Sequence, residues 1–339
     1  MLGSGANVNG LDGPNSGRTP LQMAAQEGNL AMVQFLVNNG AEVNAPPSSS
    51  QGFTALQVAA AKGNVQVAKL LLDLSADVNG PPSKSQGYTA LEACLNYLQQ
   101  FNSRQVEIFE LLLDKEADIN DPRGRRSFQR GNSVLTTLIT KSSDFELIQR
   151  ALSAGADLNQ PGIGKEARTP IQAAAEIGNL GLVKHLLDKG AKINAPASLN
   201  YGRTALQAAC CYEHSKLELV QFLLDNGAEV NARPGMKGGV MALQGAAIQG
   251  HIKIVLLLLE VGGDINAKPA VFEGRTALDG AAEHGRLDMV QMLLNIGAKS
   301  EEAGSTGVDR AVRLAEENGH FAITEILRAH SKRGTDENV

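Results

Sequence analysis

Cys210-Cys211-Tyr212-Glu213-His214 is the one stretch where a thiol, a carboxylate and an imidazole stand together. A cysteine nucleophile needs a base and an oxyanion site held in fixed geometry. A second concentration of chemistry is Asp121 to Arg130, DPRGRRSFQR, the most basic run in the chain. Its arginines, Arg123, Arg125, Arg126 and Arg130, are suited to bidentate bonds with carboxylates or phosphates. The six histidines (His185, His214, His251, His284, His320, His330) show neither HxH nor HExxH spacing, so no metal site is expected. Glycines never fall into GxxxxGK[ST], which removes a phosphate-loop reading, and no cofactor is expected.

The formal net charge of −5 and a pI near 5.8 give no general attraction to nucleic acid or to an anionic membrane. The longest apolar run, Ile254 to Leu259, is far short of the ~20 residues that span a bilayer. The opening MLGSGANVNG has no basic segment and no apolar signal core. Cys94, Cys210 and Cys211 form neither a CxxC pair nor a framework, which points to a reducing, cytoplasmic setting.

What positions these residues is a repeat. The opening pattern reads GRTPL from Gly17, GFTAL from Gly52, GYTAL from Gly87, GNSVL from Gly131 and ARTPI from Ala167. It returns as GRTAL from Gly202, GVMAL from Gly239 and GRTAL from Gly274, then reaches a divergent last copy at Gly307. The period is about 35 residues, a length that signals stacked supersecondary units. Within each unit Thr suits an N-cap and Pro or Ala the first helical position. A short helix ends at Gly28, Gly63, Gly178, Gly250 or Gly285, the expected left-handed terminator. A second helix carries one apolar face, as at Leu30, Val33, Leu36 and Val37. The unit closes on GAEVNA-like turns and a Pro/Ser/Gly-rich stretch, read as a short hairpin finger.

This grammar resembles the ankyrin repeat over roughly residues 5 to 330. The resemblance implies an all-α repeat solenoid, an array of paired antiparallel helices with β-hairpin fingers, that binds protein partners and is not an enzyme. Where the family's TPLH motif carries histidine, this chain has Gln22, Gln57, Gln172 and Gln207. Glutamine offers both a donor and an acceptor, so the loop-bridging hydrogen bonds are expected to persist. The hairpins run about two residues longer than the usual repeat, and NAPPSSSQG-like fingers with TALQ look like the ankyrin tails of filamentous-fungal NACHT/STAND receptors. The recurring Asn44, Asn79, Asn120, Asn159, Asn194, Asn231 and Asn266 are expected to bond local backbone within their turns.

Residues 1–16 read as the remnant hairpin of a preceding repeat, since Gly5 to Asn9 matches Gly40 to Asn44. Residues 17–307 read as eight repeats, 308–330 as a charged C-terminal capping repeat and 331–339 as a disordered tail. The first complete unit offers apolar Leu21, Met23 and Leu30 with nothing before it to cap them, so the expectation is a fragment of a longer protein. The third, fourth and sixth units are irregular; both elaboration of a binding site and drift in a tolerant scaffold account for that.

In repeat register Cys210 aligns with Ala60 and reads as core. Cys211 aligns with Ala61 and reads as an exposed, oxidisable thiol with His214 in an inserted loop; catalysis is not expected. A concave partner surface is implied by the resemblance, built from finger bases and exposed faces of first helices. Its expected residues are Phe53, Tyr88, Tyr97, Tyr201, Tyr212, Arg168, Arg203, Arg275, Ile177 and Ile248. All four tyrosines fall there, and tyrosine and arginine are what interface hot spots favour; the other reading is that the tyrosines stack on neighbouring fingers. The arginines of the 121–130 finger read either as solvated or as an anchor for an acidic partner segment. The expected protein is a monomer whose partner is a protein or extended peptide, and which serves as the recognition part of a larger receptor-like protein. The alternative is the substrate-recruiting arm of an enzyme.

Overall fold

A computed structural model of the chain describes residues 7–12, 17–49, 52–84, 87–96, 102–121, 131–142, 144–300 and 307–336. The chain forms two compact units, Met1–Gly164 and Lys165–Val339. The first holds helices α1 (Pro20–Glu27), α2 (Leu30–Asn38), α3 (Ala55–Lys62), α4 (Val65–Asp73), α5 (Ala90–Asn96), α6 (Ser103–Asp114), α7 (Val134–Lys141) and α8 (Phe145–Ser153). The second holds α9 (Pro170–Glu176), α10 (Leu180–Asp188), α11 (Ala205–Cys211), α12 (Leu217–Asp225), α13 (Ala242–Gln249) and α14 (Ile252–Glu260). It continues with α15 (Ala277–Glu283), α16 (Leu287–Asn295), α17 (Asp309–Glu317) and α18 (Phe321–Asp336). Each is an all-α stack of helix pairs, the repeat solenoid that the period implies. The last helix extends to Asp336, so the stretch read as a disordered tail is helical for most of its length.

The first helix of each repeat is short and alanine-rich, and its neighbours are the first helices of adjacent repeats. Thus α3 packs between α1 and α5, and α13 between α11 and α15. Ala59, Ala60, Ala173, Ala209, Ala246 and Ala281 are fully buried there, small enough to let the layers approach. Second helices bury only their apolar stripe, such as Val67, Leu71, Val183 and Leu186. Thr19, Thr54, Thr204 and Thr276 cap first helices, accepting from the backbone N–H three residues on. At the other end Gly63, with φ 73°, closes α3 in the left-handed conformation that glycine adopts freely.

Glutamine does replace histidine as the loop bridge. The Gln57 Oε1 accepts from Thr54 N–H at 2.9 Å, while its Nε2 donates to the carbonyls of Gly80 and Pro81 at 2.9 and 3.2 Å. Gln172 and Gln207 repeat the arrangement onto Ala195 and Ala232, both at 2.8 Å.

Two expectations need correction. The hairpin asparagines bond the next repeat, not only their own turn. Asn231 donates to Gly262 O at 2.9 Å and accepts from Asp264 N–H at 3.0 Å. Asn44, Asn79, Asn120, Asn194 and Asn266 each make the same donor-and-acceptor pair across about one repeat. Asn9 does so onto Gly40 and Glu42, so the finger at residues 7–10 stacks on the first complete repeat. A short amide has two bonding atoms, and stacking at repeat distance presents it with a carbonyl and an N–H from the neighbouring turn. The fingers, second, contain no strand among the described residues. Isolated bridges join Asn200 to Lys237 and Lys237 to Phe272 in parallel, and Gly131 to Ile163 antiparallel. Proline in most fingers removes donors that a ladder would need.

Repeat packing also fixes small residues. A Cβ built on Gly280 of α15 would lie 2.4 Å from Ile248 Cγ1 of the preceding repeat, so Ile248 fills the space that glycine leaves. Gly280→Ala is therefore expected to cost about 1–2 kcal/mol in the native background. In an Ile248→Ala background the sign should reverse, because alanine is the better helix former by nearly 1 kcal/mol. Denaturant midpoints of the four variants check this; additive effects would contradict it.

Candidate functional site

One backbone position recurs between the turn glycine and the capping threonine of each repeat. It carries Arg18, Phe53, Tyr88, Asn132, Arg168, Arg203, Val240 and Arg275 in turn. Its neighbours are fixed by tight turn geometry and by capping, whereas the residue type at this position differs from repeat to repeat.

The arginines at this position reach the far end of that helix. Arg168 forks onto Glu176, Nε to Oε2 at 3.1 Å and Nη2 to Oε1 at 3.0 Å, and its Nη1 donates to Ala167 O and Tyr201 O. Arg275 forks onto Glu283 at 2.6 and 3.0 Å, and Arg18 donates to Gln26 at 2.5 Å. Arg203 meets Cys211 eight residues on instead of an acid, and turns to Glu176 of the preceding repeat at 3.4 Å. Arg168 is only 5% exposed, so it is corrected from a surface contact to a buried brace. Arg203 and Arg275 stay half-buried.

Phe53 and Tyr88 are half-buried in the first unit, and Ile177 is half-buried in the second. Ile248 is also half-buried, packed into the space at Gly280. Tyr212 lies at the end of α11, where its ring covers Gly178 of the preceding repeat: a Cβ there would be 2.8 Å from Tyr212 Cε1. His251 bonds the Tyr212 carbonyl through Nε2 at 2.9 Å. Tyr212 is thus a packing residue between repeats, which corrects its reading as a side chain outside the repeat core. Tyr97, Arg123, Arg125, Arg126 and Arg130 lie outside the described residues.

The thiols are not activated. Burial pushes Cys210 and Cys94 far up, and Cys94 donates to Gln105 O at 3.1 Å. Cys211 is half-buried and its thiol is also raised, by burial first and with Glu176 adding to it, against opposition from Arg203 and Arg168. This corrects the expectation of an exposed, oxidisable thiol. His214 sets its ring edge-on to Tyr212, centroids 5.9 Å apart, and among the described residues bonds no cysteine. Among the described residues no group of three or more His, Cys, Asp or Glu is placed to hold a metal ion. No helix among them is long and apolar enough to cross a membrane.

The second unit's fingers hold a network that sequence reading missed. Glu166, Tyr201, Gly238 and Glu273 occupy one register with φ of 58, 56, 59 and 58°. Tyr201 N–H donates to Lys237 O at 2.8 Å and Gly238 N–H to Phe272 O at 2.8 Å, stitching successive tips together. The Tyr201 hydroxyl donates to Glu273 at 2.5 Å, Lys237 pairs with Glu273 at 3.1 Å, and Lys165 sits 4.5 Å over the Tyr201 ring. The reading that tyrosines stack on neighbouring fingers fits Tyr201.

The Tyr201–Glu273 hydrogen bond, with Lys237, holds Glu273 below the ordinary carboxylate range, and the same bond raises the Tyr201 phenol against the opposing pull of Lys237. Its contribution to the finger stack is complete above the unfolded carboxylate pKa and is lost as pH falls through the depressed one. In Tyr201→Phe the Glu273 carboxyl resonance should titrate at higher pH than in the wild type. An unmoved midpoint would remove Tyr201 as the cause.

Sequence models of the ankyrin repeat match much of the chain. One described as ankyrin repeats (3 copies) covers residues 137–234 and 232–303, and one described as ankyrin repeats (many copies) covers 1–37 and 24–72. No curated protein matches the sequence.

Proposed function

Because the chain belongs to the ankyrin-repeat family, whose repeats are generally non-catalytic protein-interaction modules, we propose that it recognises a protein or extended peptide segment across its finger bases and first helices. One observation carries the reading. Gln57 and its counterparts tie each first helix to the loop that closes its repeat, and Asn231 and its counterparts bond repeat to repeat, whereas the position between turn glycine and helix cap changes from Phe53 to Tyr88 to Val240. Residues that a fold does not specify are available to specify a partner. The raised thiols agree with a binding module, since none of the three cysteines is activated as a nucleophile. We place the chain inside the cell, where its three free cysteines remain reduced, as the monomeric recognition part of a larger receptor-like protein. An acidic stretch in the partner would suit the arginines of the 121–130 finger.

Quantitative cross-linked capture tests this, comparing the wild type with Phe53→Ala/Tyr88→Ala. A partner enriched on the wild type should fall at least tenfold on the variant while both melt at the same temperature. An identical captured set, or none, would contradict the reading.

A further inference from the structure

The finger turns of both units share one construction. A Cβ on Gly52, Gly87, Gly202, Gly239 or Gly274 would lie 2.1–2.4 Å from a backbone atom four residues back. The tip residue three positions before that glycine is therefore interchangeable as far as the turn is concerned. In the first unit it is polar, Ser49 and Lys84. In the second it is Leu199, Met236 and Val271, exposed by 68, 50 and 73%. The same turn accepts serine and lysine, so its geometry does not require this apolar row, and contiguous apolar surface of that kind marks interaction sites.

Below the row, between the fingers at residues 231–236 and 264–271, lies a half-open cleft of about 590 Å³ walled by Met236, Met241, Pro269 and Val271. Met241, buried at the floor of the cleft, stands where Thr19, Thr54, Thr204 and Thr276 cap their helices with a hydroxyl. It offers no hydroxyl to the start of α13, and the box is held from the other side by Gln244, which accepts from Met241 N–H at 2.9 Å. Forfeiting a capping hydroxyl while adding an apolar wall is the local inconsistency that functional positions show. Arg233 and Lys268 stand in the same register on the two fingers and line the cleft, exposed and without a carboxylate partner among the described residues. The one acid on the wall, Asp264, already accepts from Asn266 N–H at 2.9 Å. Stitched tips make the cleft preorganised, which lowers the entropic cost of docking.

We propose that this cleft binds an extended peptide segment in which apolar side chains alternate with carboxylates. The apolar groups seat against Met236, Met241 and Val271, and the carboxylates meet Arg233 and Lys268. The proposal rests on the recognition reading above and names the chemistry of one partner segment. A random dodecapeptide display library selected on the full chain tests it, with affinities then measured by fluorescence anisotropy. Enriched peptides should be acidic and apolar. Their affinity should drop at least tenfold in Arg233→Glu/Lys268→Glu and in Met236→Asp/Val271→Asp, whose exposed tips leave folding intact by circular dichroism. Lys253→Glu, a charge reversal at an exposed position of the second helix α14, should leave it unchanged. Peptides that are not acidic, or that bind both cleft variants normally, overturn the proposal. Binding lost only in Phe53→Ala/Tyr88→Ala overturns the cleft while the recognition reading stands, and absence of any enriched peptide counts against both. Concentration-dependent self-association abolished by Met236→Asp/Val271→Asp would assign the cleft to a second copy and also overturn it.

Discussion

Gly202→Ala is expected to destabilise the second unit by about 3 kcal/mol or more, at the upper end of what overpacking costs. The added methyl would lie 2.1 Å from Ser198 N and 2.2 Å from Ser198 O. Both are backbone atoms, so no rotamer change relieves the clash and the finger must open. Opening it also breaks the Tyr201 N–H bond to Lys237 O and hence the stitch to the next finger. Urea unfolding followed by circular dichroism checks this. The expected result is a lowered midpoint with an early transition, since repeat arrays lose cooperativity when one unit fails. Gly190→Ala is the control for a loop glycine, because nothing lies within 4 Å of its Cβ position and only its φ of 98° is penalised.

Gln172→Leu should cost about 3 kcal/mol, near the sum expected for orphaned buried groups. The side chain is 1% exposed and serves Thr169 N–H, Ala195 O and Pro196 O at 2.9, 2.8 and 3.1 Å. Leucine matches its size but satisfies none of the three. Gln172→His should recover most of the loss, because imidazole also carries a donor and an acceptor. Equal destabilisation by leucine and histidine would show that the amide acts through shape and not through its bonds.

The contrast between these two residues and the arginines shows what a sequence can disclose. Gln172 was legible because its role follows from a recurring motif and from the two bonding atoms of an amide. The period likewise located the helix pairs and the left-handed glycines. The asparagine ladder was misjudged because its partners lie about one repeat away, and turn chemistry alone favours local bonds. Arg168 was misjudged for a related reason: its acid stands eight residues on, outside helical spacing, though the pairs Arg168/Glu176 and Arg275/Glu283 repeat that interval. Reading for Arg–Glu at the full length of the short helix would have found the brace. Tyr212 and Cys211 could not be placed from sequence, since what they touch, Gly178 and Gly245, belongs to adjacent repeats. The cleft beneath Met236 and Val271 is equally tertiary, although methionine at a threonine cap position was a visible departure.

Hydrogen exchange of the full chain, with and without the partner captured on it, tests the recognition face most directly. The account predicts that bound partner slows exchange at the finger bases and first helices. Those are residues 52–62 and 87–96 in the first unit, and 202–211 and 231–249 in the second. Second helices such as α4, α12 and α14 should exchange as they do in the free chain. Protection confined to those second helices, with the finger bases unchanged, would contradict it.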